Sequence, residues 1–187
     1  LESLGLSKVV FQKAMTGFLH LKSENRILNN NIITIIDFSI PSTTKRLYVI
    51  DLSNKKVLFN TYVAHGKNSG LLYANSFSNK NSSLKSSLGF YETGKPYNGK
   101  HGYSLELYGL ENGINNNAQK RGIVIHPAEY VSENVIKNQG YCGRSWGCPA
   151  LPVELSTPII NQIKNGSIIF INGKDKTYFK HSKYFQS

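Results

Sequence analysis

The chain has 187 residues, of which 40% are hydrophobic and 18% charged, a composition that is typical of one globular domain and excludes an intrinsically disordered chain. No apolar run approaches the roughly 18 residues that span a bilayer, so we expect no stable membrane insertion. Lysine and arginine number 22 against 11 acidic residues, and the resulting net charge of +11 favours an anionic partner such as nucleic acid, an acidic membrane face or a cell-wall polymer.

The basic residues do not form a nucleic-acid-binding motif. They are scattered singly or in pairs, as in Lys45-Arg46 and Lys120-Arg121. No zinc-finger spacing, helix-turn-helix signal or RNP-like aromatic motif accompanies them. We therefore expect a solvated basic surface and no nucleic-acid partner.

The first predicted element is an amphipathic helix over residues 7–22, with Ser7 as a suitable N-cap. We expect this helix to pack on the body of the domain rather than to dock a partner. Asn29–Asn31 then interrupts the chain. The apolar residues at helical spacing are Val10, Ala14, Phe18 and Leu21.

The remainder of the chain predicts mostly β structure with a few flanking helices. Residues 73–88 are rich in serine and asparagine and indicate a long polar loop, of the kind that often forms a lid or a groove wall. Residues 97–103 indicate a turn, and a Thr-Pro pair predicts the start of the last helix. The predicted strands are 32–38, 46–51, 56–63, 88–94, 103–108, 123–126 and 167–172, and the predicted helices are 129–138 and 156–165.

A glycine-rich loop over Gly140–Pro152 contains the candidate nucleophile, Cys148. Upstream, the apolar run from Gly122 ends on His126, as a strand would end on a histidine. A thiol in a glycine loop and an imidazole at a strand end are the minimum that cysteine nucleophilic catalysis requires. The N–H groups of Trp146, Gly147 and Cys148 are the candidate donors to an oxyanion.

Each of these residues also has a structural interpretation. Cys148 alone fits a small buried hydrophobic residue, although a Gly-Cys-Pro loop is a poor place to pack a core. His126 alone fits a histidine tied to a backbone carbonyl, which a catalytic base also needs. A zinc site built from His65 and His101 with these residues is a weaker hypothesis, because the spacings match no zinc motif.

Cys142 lies six positions before Cys148, so the two could form a disulfide bond. Two cysteines do not make a disulfide framework, and a stable bridge would silence a nucleophile. Two interpretations of Cys142 stay open. It is either a packing residue, which we favour, or a redox partner that blocks Cys148 by oxidation.

Seven segments in order resemble the murein L,D-transpeptidase catalytic-domain family, the branch of the YkuD-type cysteine transpeptidases whose nucleophile lies in a G-R-S-x-G-C-P loop. The resemblance covers about residues 30 to 172, with the first helix as a usual companion. In the wider superfamily a histidine often stands where this chain has Trp146. The segments are 37–42, 46–51, 64–70, 86–90, 99–105, 121–127 and 143–150.

The resemblance implies a YkuD-like β-sandwich and acyl transfer on peptidoglycan stem peptides, with no metal and no organic cofactor. By position, Cys148 matches the nucleophile and His126 the base, oriented by a backbone carbonyl at or beside Pro127. Arg144 and Ser145 match loop residues that hold the loop or contact substrate. The residues that match site-shaping positions are His65, Gly66, Ser104 and Arg121.

The resemblance also implies where the domain works and on what. We expect residues 1–28 to be an N-terminal helical extension and 29–180 the catalytic domain of an extracytoplasmic protein, periplasmic or cell-wall associated, whose signal peptide has been removed. Carbapenem acylation of Cys148 is expected. The alternatives are an L,D-carboxypeptidase or endopeptidase that uses water, a non-catalytic cell-wall-binding module, and a cysteine protease acting on ordinary L-peptides.

Overall fold

The computed structural model describes residues 2–186 of the chain. Its helices are α1 (Lys8–Ser23), α2 (Glu133–Gln139), α3 (Val153–Ile163) and α4 (Lys176–His181). Its strands are β1 (Ile32–Asp37), β2 (Leu47–Asp51), β3 (Lys56–Thr61), β4 (Gly89–Gly99), β5 (Gly102–Gly109), β6 (Val124–Pro127), β7 (Ala150–Leu151) and β8 (Ile168–Asn172).

Helix α1 forms as its sequence predicts and packs on the sheet. The hydroxyl of Ser7 accepts a hydrogen bond from the Val10 N–H at 3.2 Å and so caps the first turn. The apolar stripe of the helix is buried against β1 and β8. Gly17 lies so close to the Phe90 ring that a Cβ atom there would sit 2.1 Å from it, so the helix approaches the sheet closely only because this residue is glycine.

One eight-stranded sheet in the order β3-β2-β1-β8-β4-β5-β6-β7 organises the domain. The β1–β8 and β6–β7 pairs are parallel and the other pairs are antiparallel. Directly after β3, Ala64 pairs with Ala150 of β7, so the two ends of the sheet meet and the sheet nearly closes on itself. This sheet-dominated architecture with a few flanking helices confirms the predicted fold class.

The core lies around the two central strands. Every residue of β1 and β8 is buried, because α1 covers these strands and α3 packs against β1, β5 and β6. The strands therefore read as continuous apolar runs rather than as alternating ones. Beyond the predicted domain end at residue 180, Tyr184 is also buried and packs edge-on against Phe90.

Three local predictions were wrong. Strand β4 continues to Gly99 and β5 begins at Gly102, so the predicted 97–103 turn shrinks to two residues, because β5 pairs with β4 along its whole outer half. Helix α3 begins at Val153 after Pro152, so Pro158 lies inside the helix rather than at its start. Strand β7 and helix α4 were not predicted, since both are too short to show a period.

Candidate active site

Cys148 and His126 line one cavity of about 690 Å³ at the end of the sheet where β6 and β7 pair. His126 pairs with Ala150 in the parallel β6–β7 ladder, and Cys148 lies two residues before Ala150 in the loop that leads into β7. The cavity is lined by Tyr97, Gly99, Lys100, His101, Ser104, Arg121, Gly122, Ile123, Val124, His126, Tyr130, Arg144, Ser145, Trp146 and Cys148.

The thiol of Cys148 is held at the start of β6. Its sulfur accepts a hydrogen bond from the Val124 N–H at 3.5 Å and donates to the Gly122 carbonyl at 3.5 Å. Burial raises the pKa of the Cys148 thiol, while the Val124 N–H and the positive charges of Arg121 and Lys100 act in the opposite direction. The resting thiol is therefore protonated and needs a base.

The predicted base, His126, lies on β6. Nδ1 of His126 lies 2.9 Å from the carbonyl oxygen of Pro127. Because a carbonyl only accepts, Nδ1 carries the proton and Nε2 is the basic nitrogen. Burial lowers the pKa of the His126 imidazole below its ordinary value of 6.5, so the ring is neutral at pH 7. A neutral thiol and a neutral imidazole that line one cavity are suited to general-base activation of a nucleophile.

Ser145 and Ser86 fix the loop that carries Cys148. The hydroxyl of Ser145 donates to the Cys148 carbonyl at 2.6 Å and accepts from the Gly147 N–H at 3.0 Å. The hydroxyl of Ser86 donates to the Gly147 carbonyl at 3.1 Å and accepts from the Gly66 N–H at 3.0 Å. The backbone between Ser145 and Cys148 is therefore tied down on both sides.

These bonds narrow the set of oxyanion donors. The Gly147 N–H already has an acceptor in Ser145 and is not available in this conformation. Within residues 2–186, the N–H groups of Trp146 and Cys148 make no hydrogen bond to another residue. Of the three predicted donors, Trp146 and Cys148 are the two that remain free for an oxyanion.

The family to which the domain belongs follows from a comparison with known proteins. The family model of the L,D-transpeptidase catalytic domain matches residues 2–172. The chain belongs to this family. A search of curated proteins finds no significant match.

Solved structures similar to this L,D-transpeptidase domain have low sequence identity to it. A point mutant of the helical cell-shape-determining protein Pgp2 from Campylobacter jejuni is 16% identical with a TM-score of 0.51, covering 91% of this chain and 58% of its own. An L,D-transpeptidase from Mycobacterium smegmatis is 14% identical with a TM-score of 0.48, covering 76% of this chain and 59% of its own. The L,D-transpeptidase LdtMt1 in complex with imipenem is 16% identical with a TM-score of 0.45, covering 75% of this chain and 58% of its own. The chain thus spans less than two thirds of the length of each.

Two of the site-shaping residues of the L,D-transpeptidase resemblance lie behind the nucleophile loop, outside the cavity lining. The carbonyl of His65 accepts from the Ser145 N–H at 3.0 Å, and Gly66 forms a β-bridge with Ser145. A Cβ atom on Gly66 would lie 2.6 Å from the Leu84 carbonyl oxygen and 3.0 Å from Cα of Gly147. These two residues therefore support the loop.

A buried arginine, which sequence reasoning missed, holds His65. Nη2 of Arg46 donates to Nδ1 of His65 at 2.7 Å, and Nε2 of His65 then donates to the Gly70 carbonyl at 3.1 Å. Arg46 is fully buried and also donates to the carbonyls of Val63 and Ile40. Burial and the positive charge of Arg46 lower the pKa of His65 to about 4, so this imidazole is neutral.

Arg121 and Ser104 both line the cavity. The guanidinium of Arg121 donates to the carbonyls of Ser78 and Lys85 in the long polar loop and to the hydroxyls of Ser83 and Ser87. Arg121 therefore fastens that loop, the predicted groove wall, to the edge of the cavity. Ser104 is buried, and its hydroxyl donates to the Gly102 carbonyl at 3.0 Å.

Arg144 and Trp146 stand at the rim of the cavity. The guanidinium of Arg144 donates to the Lys67 carbonyl at 3.1 Å and the Gly70 carbonyl at 3.4 Å. The Trp146 side chain is 68% exposed. Arg144 thus holds the loop, whereas the Trp146 side chain is exposed where a ligand would enter the cavity.

Sequence reasoning also missed the hairpin that forms the facing wall. Lys100 and His101 lie in the turn between β4 and β5, and the His101 ring stacks on that of His126 with centroids 4.6 Å apart and 27° between the planes. Tyr97 and Tyr130 line the same cavity. The local signal was the density of aromatic and cationic residues in 97–103, which a turn alone does not require.

Cys142 packs away from the nucleophile. It is fully buried with Ala64, Ala128, Val131 and Ala150, and its sulfur lies 3.9 Å from the Tyr130 carbonyl oxygen. Both cysteines are free thiols. In residues 2–186, no three His, Cys, Asp or Glu side chains are grouped as metal ligands would be, and no helix there is long and apolar enough to cross a membrane.

Proposed function

We propose that the protein is a peptidoglycan-modifying L,D-transpeptidase whose nucleophile is Cys148. The observation that carries the proposal is one cavity lined by the Cys148 thiol and by the His126 imidazole, whose Nδ1 is tethered to the Pro127 carbonyl. Membership of the L,D-transpeptidase catalytic-domain family supports the substrate class. Cys148 is the catalytic nucleophile, His126 the base and Pro127 the base-orienting residue.

The first step acylates the enzyme. Nε2 of His126 takes the thiol proton as the Cys148 sulfur attacks the carbonyl carbon of the L-centre in the stem peptide, so a C–S bond forms. The resulting oxyanion receives the N–H groups of Cys148 and Trp146. When the tetrahedral intermediate collapses, the C–N bond breaks and His126 returns the proton to the leaving amine of a terminal D-amino acid.

The second step resolves the thioester. An amine attacks the acyl carbon, His126 takes a proton from its nitrogen, the C–N bond forms and the C–S bond breaks to restore the thiol. A side-chain amine of another stem gives a cross-link, and a free D-amino acid gives exchange. Water in the same position gives a shortened stem, which is the L,D-carboxypeptidase or endopeptidase alternative on the same site.

The charge of the protein suits an anionic polymer. Peptidoglycan stems bear carboxylates, and a net charge of +11 attracts them over a distance that salt shortens. The cavity lining contains three cationic side chains and no acidic one, which also favours an anionic substrate. Action on the cell wall places the protein outside the cytoplasm, in the periplasm or at the wall.

The test is mass spectrometry of isolated disaccharide-tetrapeptide incubated with the wild type, with Cys148→Ala and with Cys142→Ala. The proposal predicts 3-3 cross-links or exchanged terminal D-amino acids with the wild type and with Cys142→Ala, and none with Cys148→Ala. The Cys142→Ala variant controls for loss of a thiol from the same loop. Tripeptide products alone would identify the carboxypeptidase.

Two other results would replace the proposal. Unchanged stems with the reduced wild type, together with retained binding to peptidoglycan sacculi by Cys148→Ala, would indicate a non-catalytic cell-wall-binding module. Cleavage of an all-L peptide that has no D-centre would indicate a cysteine protease. A reducing agent is present throughout, so that oxidation of the cysteines does not mask activity.

The same thiol is expected to react with carbapenems: the sulfur attacks the strained lactam carbonyl, the lactam C–N bond breaks, and the nitrogen stays tethered to the acyl group. Intact-mass measurement of the wild type after exposure to imipenem should show one adduct, and peptide mapping should place it on Cys148. An adduct on Cys142 instead, or none, would contradict this expectation.

A further inference from the structure

Trp146 is the centre of a cationic cluster at the mouth of the cavity. Its indole is 68% exposed, with Nζ of Lys67 at 5.8 Å and Nζ of Lys100 at 5.9 Å from the ring centroid. The two lysines come from separate segments, Lys67 from the chain after β3 and Lys100 from the β4–β5 turn. We call Lys67, Trp146 and Lys100 the lysine clamp.

The clamp has no anionic partner within the described chain. The ion pairs among residues 2–186 join Glu24 to Arg26 and to Lys183, on a different part of the surface. The cavity lining contains Lys100, Arg121 and Arg144 but no aspartate or glutamate. The guanidinium groups of Arg121 and Arg144 are used on backbone carbonyls, so the lysines are the cations left free for a ligand.

The backbone holds both lysines in place. The Lys67 N–H donates to the Ser145 carbonyl at 2.8 Å, and the Lys67 carbonyl accepts from Arg144. Lys100 is confined to a two-residue turn by the pairing of Gly99 with Gly102. Two like charges held around one ring repel each other, and a bound anion removes that repulsion.

Lys100 links the clamp to the His126 side of the cavity. Lys100 is followed by His101, whose ring stacks on that of His126. In the proposed reaction His126 gives a proton to the leaving amine and takes one from the entering amine, so both nitrogens occupy the His126 side. A D-amino acid bears its carboxylate one carbon from that nitrogen.

We propose that the lysine clamp is the binding subsite for the carboxylate next to the reacting amine, first that of the released D-amino acid and then that of the entering amino acid. This inference rests on the proposed transpeptidase function and deepens it. A carboxylate bound by Lys67 and Lys100 positions the amine for attack on the thioester. Water has no carboxylate, so the clamp cannot position it in this way. The clamp therefore favours amino acid exchange over hydrolysis.

The test compares two acceptors that differ only in the carboxylate. Cys148 is acylated with disaccharide-tetrapeptide, and the kcat/KM for transfer to D-methionine is divided by that for transfer to D-methioninamide. The two amines differ in basicity, but this difference cancels when the ratio in a variant is compared with the ratio in the wild type. The variants are Lys67→Gln, Lys100→Gln and the double variant, with Lys137→Gln on the exposed face of α2 as control.

Each single variant should lower the ratio about tenfold and the double variant about a hundredfold, as expected for the loss of one and two charged hydrogen bonds. Lys137→Gln should leave it unchanged, and added salt should lower it in the wild type and in Lys137→Gln but not in the double variant. An unchanged ratio in the double variant would overturn the inference while the proposed function stands. Failure of the wild type to form a thioester on Cys148 would overturn both, and intact mass distinguishes the two cases.

Discussion

Cys142 and Cys148 stand at the two ends of one short loop, in regions that differ in almost every respect. Around Cys142 the neighbours are small and apolar, and burial raises the pKa of its thiol to about 11. Cys148 packs against the edge of the main core, but the Val124 N–H points at its sulfur and a cavity reaches it. The residue type is the same, so the different surroundings lead us to predict that Cys142 packs and Cys148 reacts.

The largest effect that we predict is a difference between the alkylation rates of the two thiols. Iodoacetamide should modify native Cys148 at least about a thousandfold faster than Cys142, because Cys142 is reached only when the fold opens. Mass spectrometry with peptide mapping measures both rates. In Cys148→Ala, the remaining thiol should stay unmodified until urea is added. Comparable rates for the two thiols in the native protein would refute the contrast.

His65, which supports the Cys148 loop, should make the free energy of unfolding depend on pH. Its pKa is about 4 in the folded protein and 6.5 ordinarily, so the folded state binds fewer protons between these values. Above pH 6.5 this difference contributes about 3 kcal/mol to the free energy of unfolding, as expected for such a fully buried group. The contribution is lost as the pH falls to 4.

Urea unfolding at pH 7.5 and pH 4 measures this loss. The His65→Asn variant is the control, because its Oδ1 can accept the hydrogen bond of Arg46 but does not titrate. The variant should lose less stability than the wild type over this interval. Equal losses in the two proteins would mean that His65 does not carry the pH dependence.

Gly66 should separate loop position from overall stability. In Gly66→Ala the new methyl group meets the Leu84 carbonyl and Cα of Gly147, so the loop must shift. We expect a cost of about 1–3 kcal/mol in unfolding free energy and a loss of activity. Gly113→Ala is the matched control, because it is strained by a φ of +77° but has open space around it and lies outside the cavity lining.

Thermal unfolding and exchange activity are measured together for this pair. Gly113→Ala should lose stability and keep its activity, whereas Gly66→Ala should lose both. If Gly66→Ala kept full activity, the bridge between Gly66 and Ser145 would have no part in placing the nucleophile.

The smallest effect that we predict is on the pH dependence of activity, through His126. Because the pKa of His126 is lowered, the acid limb of the kcat/KM profile should have its midpoint below pH 6.5. Burial is the main cause of the lowered pKa of His126 and a charge interaction with His101 adds to it, so His101→Phe, which keeps a stacked ring, should move the limb to higher pH. A midpoint above 6.5 in the wild type would contradict the neutral-base description.

Local sequence patterns determined most of the elements. Helix α1 with its Ser7 cap, the central strands and the long polar loop follow from capping, periodicity and composition, which are local properties. The start of α3 could not be predicted, because the Thr-Pro signal lay inside the helix while Pro152 preceded it. The length of β4 depended on its partner β5, and pairing between strands is not written in either strand alone.

By itself, the sequence was enough to predict Cys148 and His126 as the reactive pair, since a thiol in a glycine loop and a histidine at a strand end are chemical signals that stand in the chain. Only the tertiary structure decided what surrounds them. Pairing of β6 with β7 brings the two into one cavity, burial separates the fates of the two thiols, and the β4–β5 hairpin places Lys100 and His101 opposite the loop. Burial, solvation and pairing across the sheet arise from contacts between distant segments, so they exist only once the chain has folded.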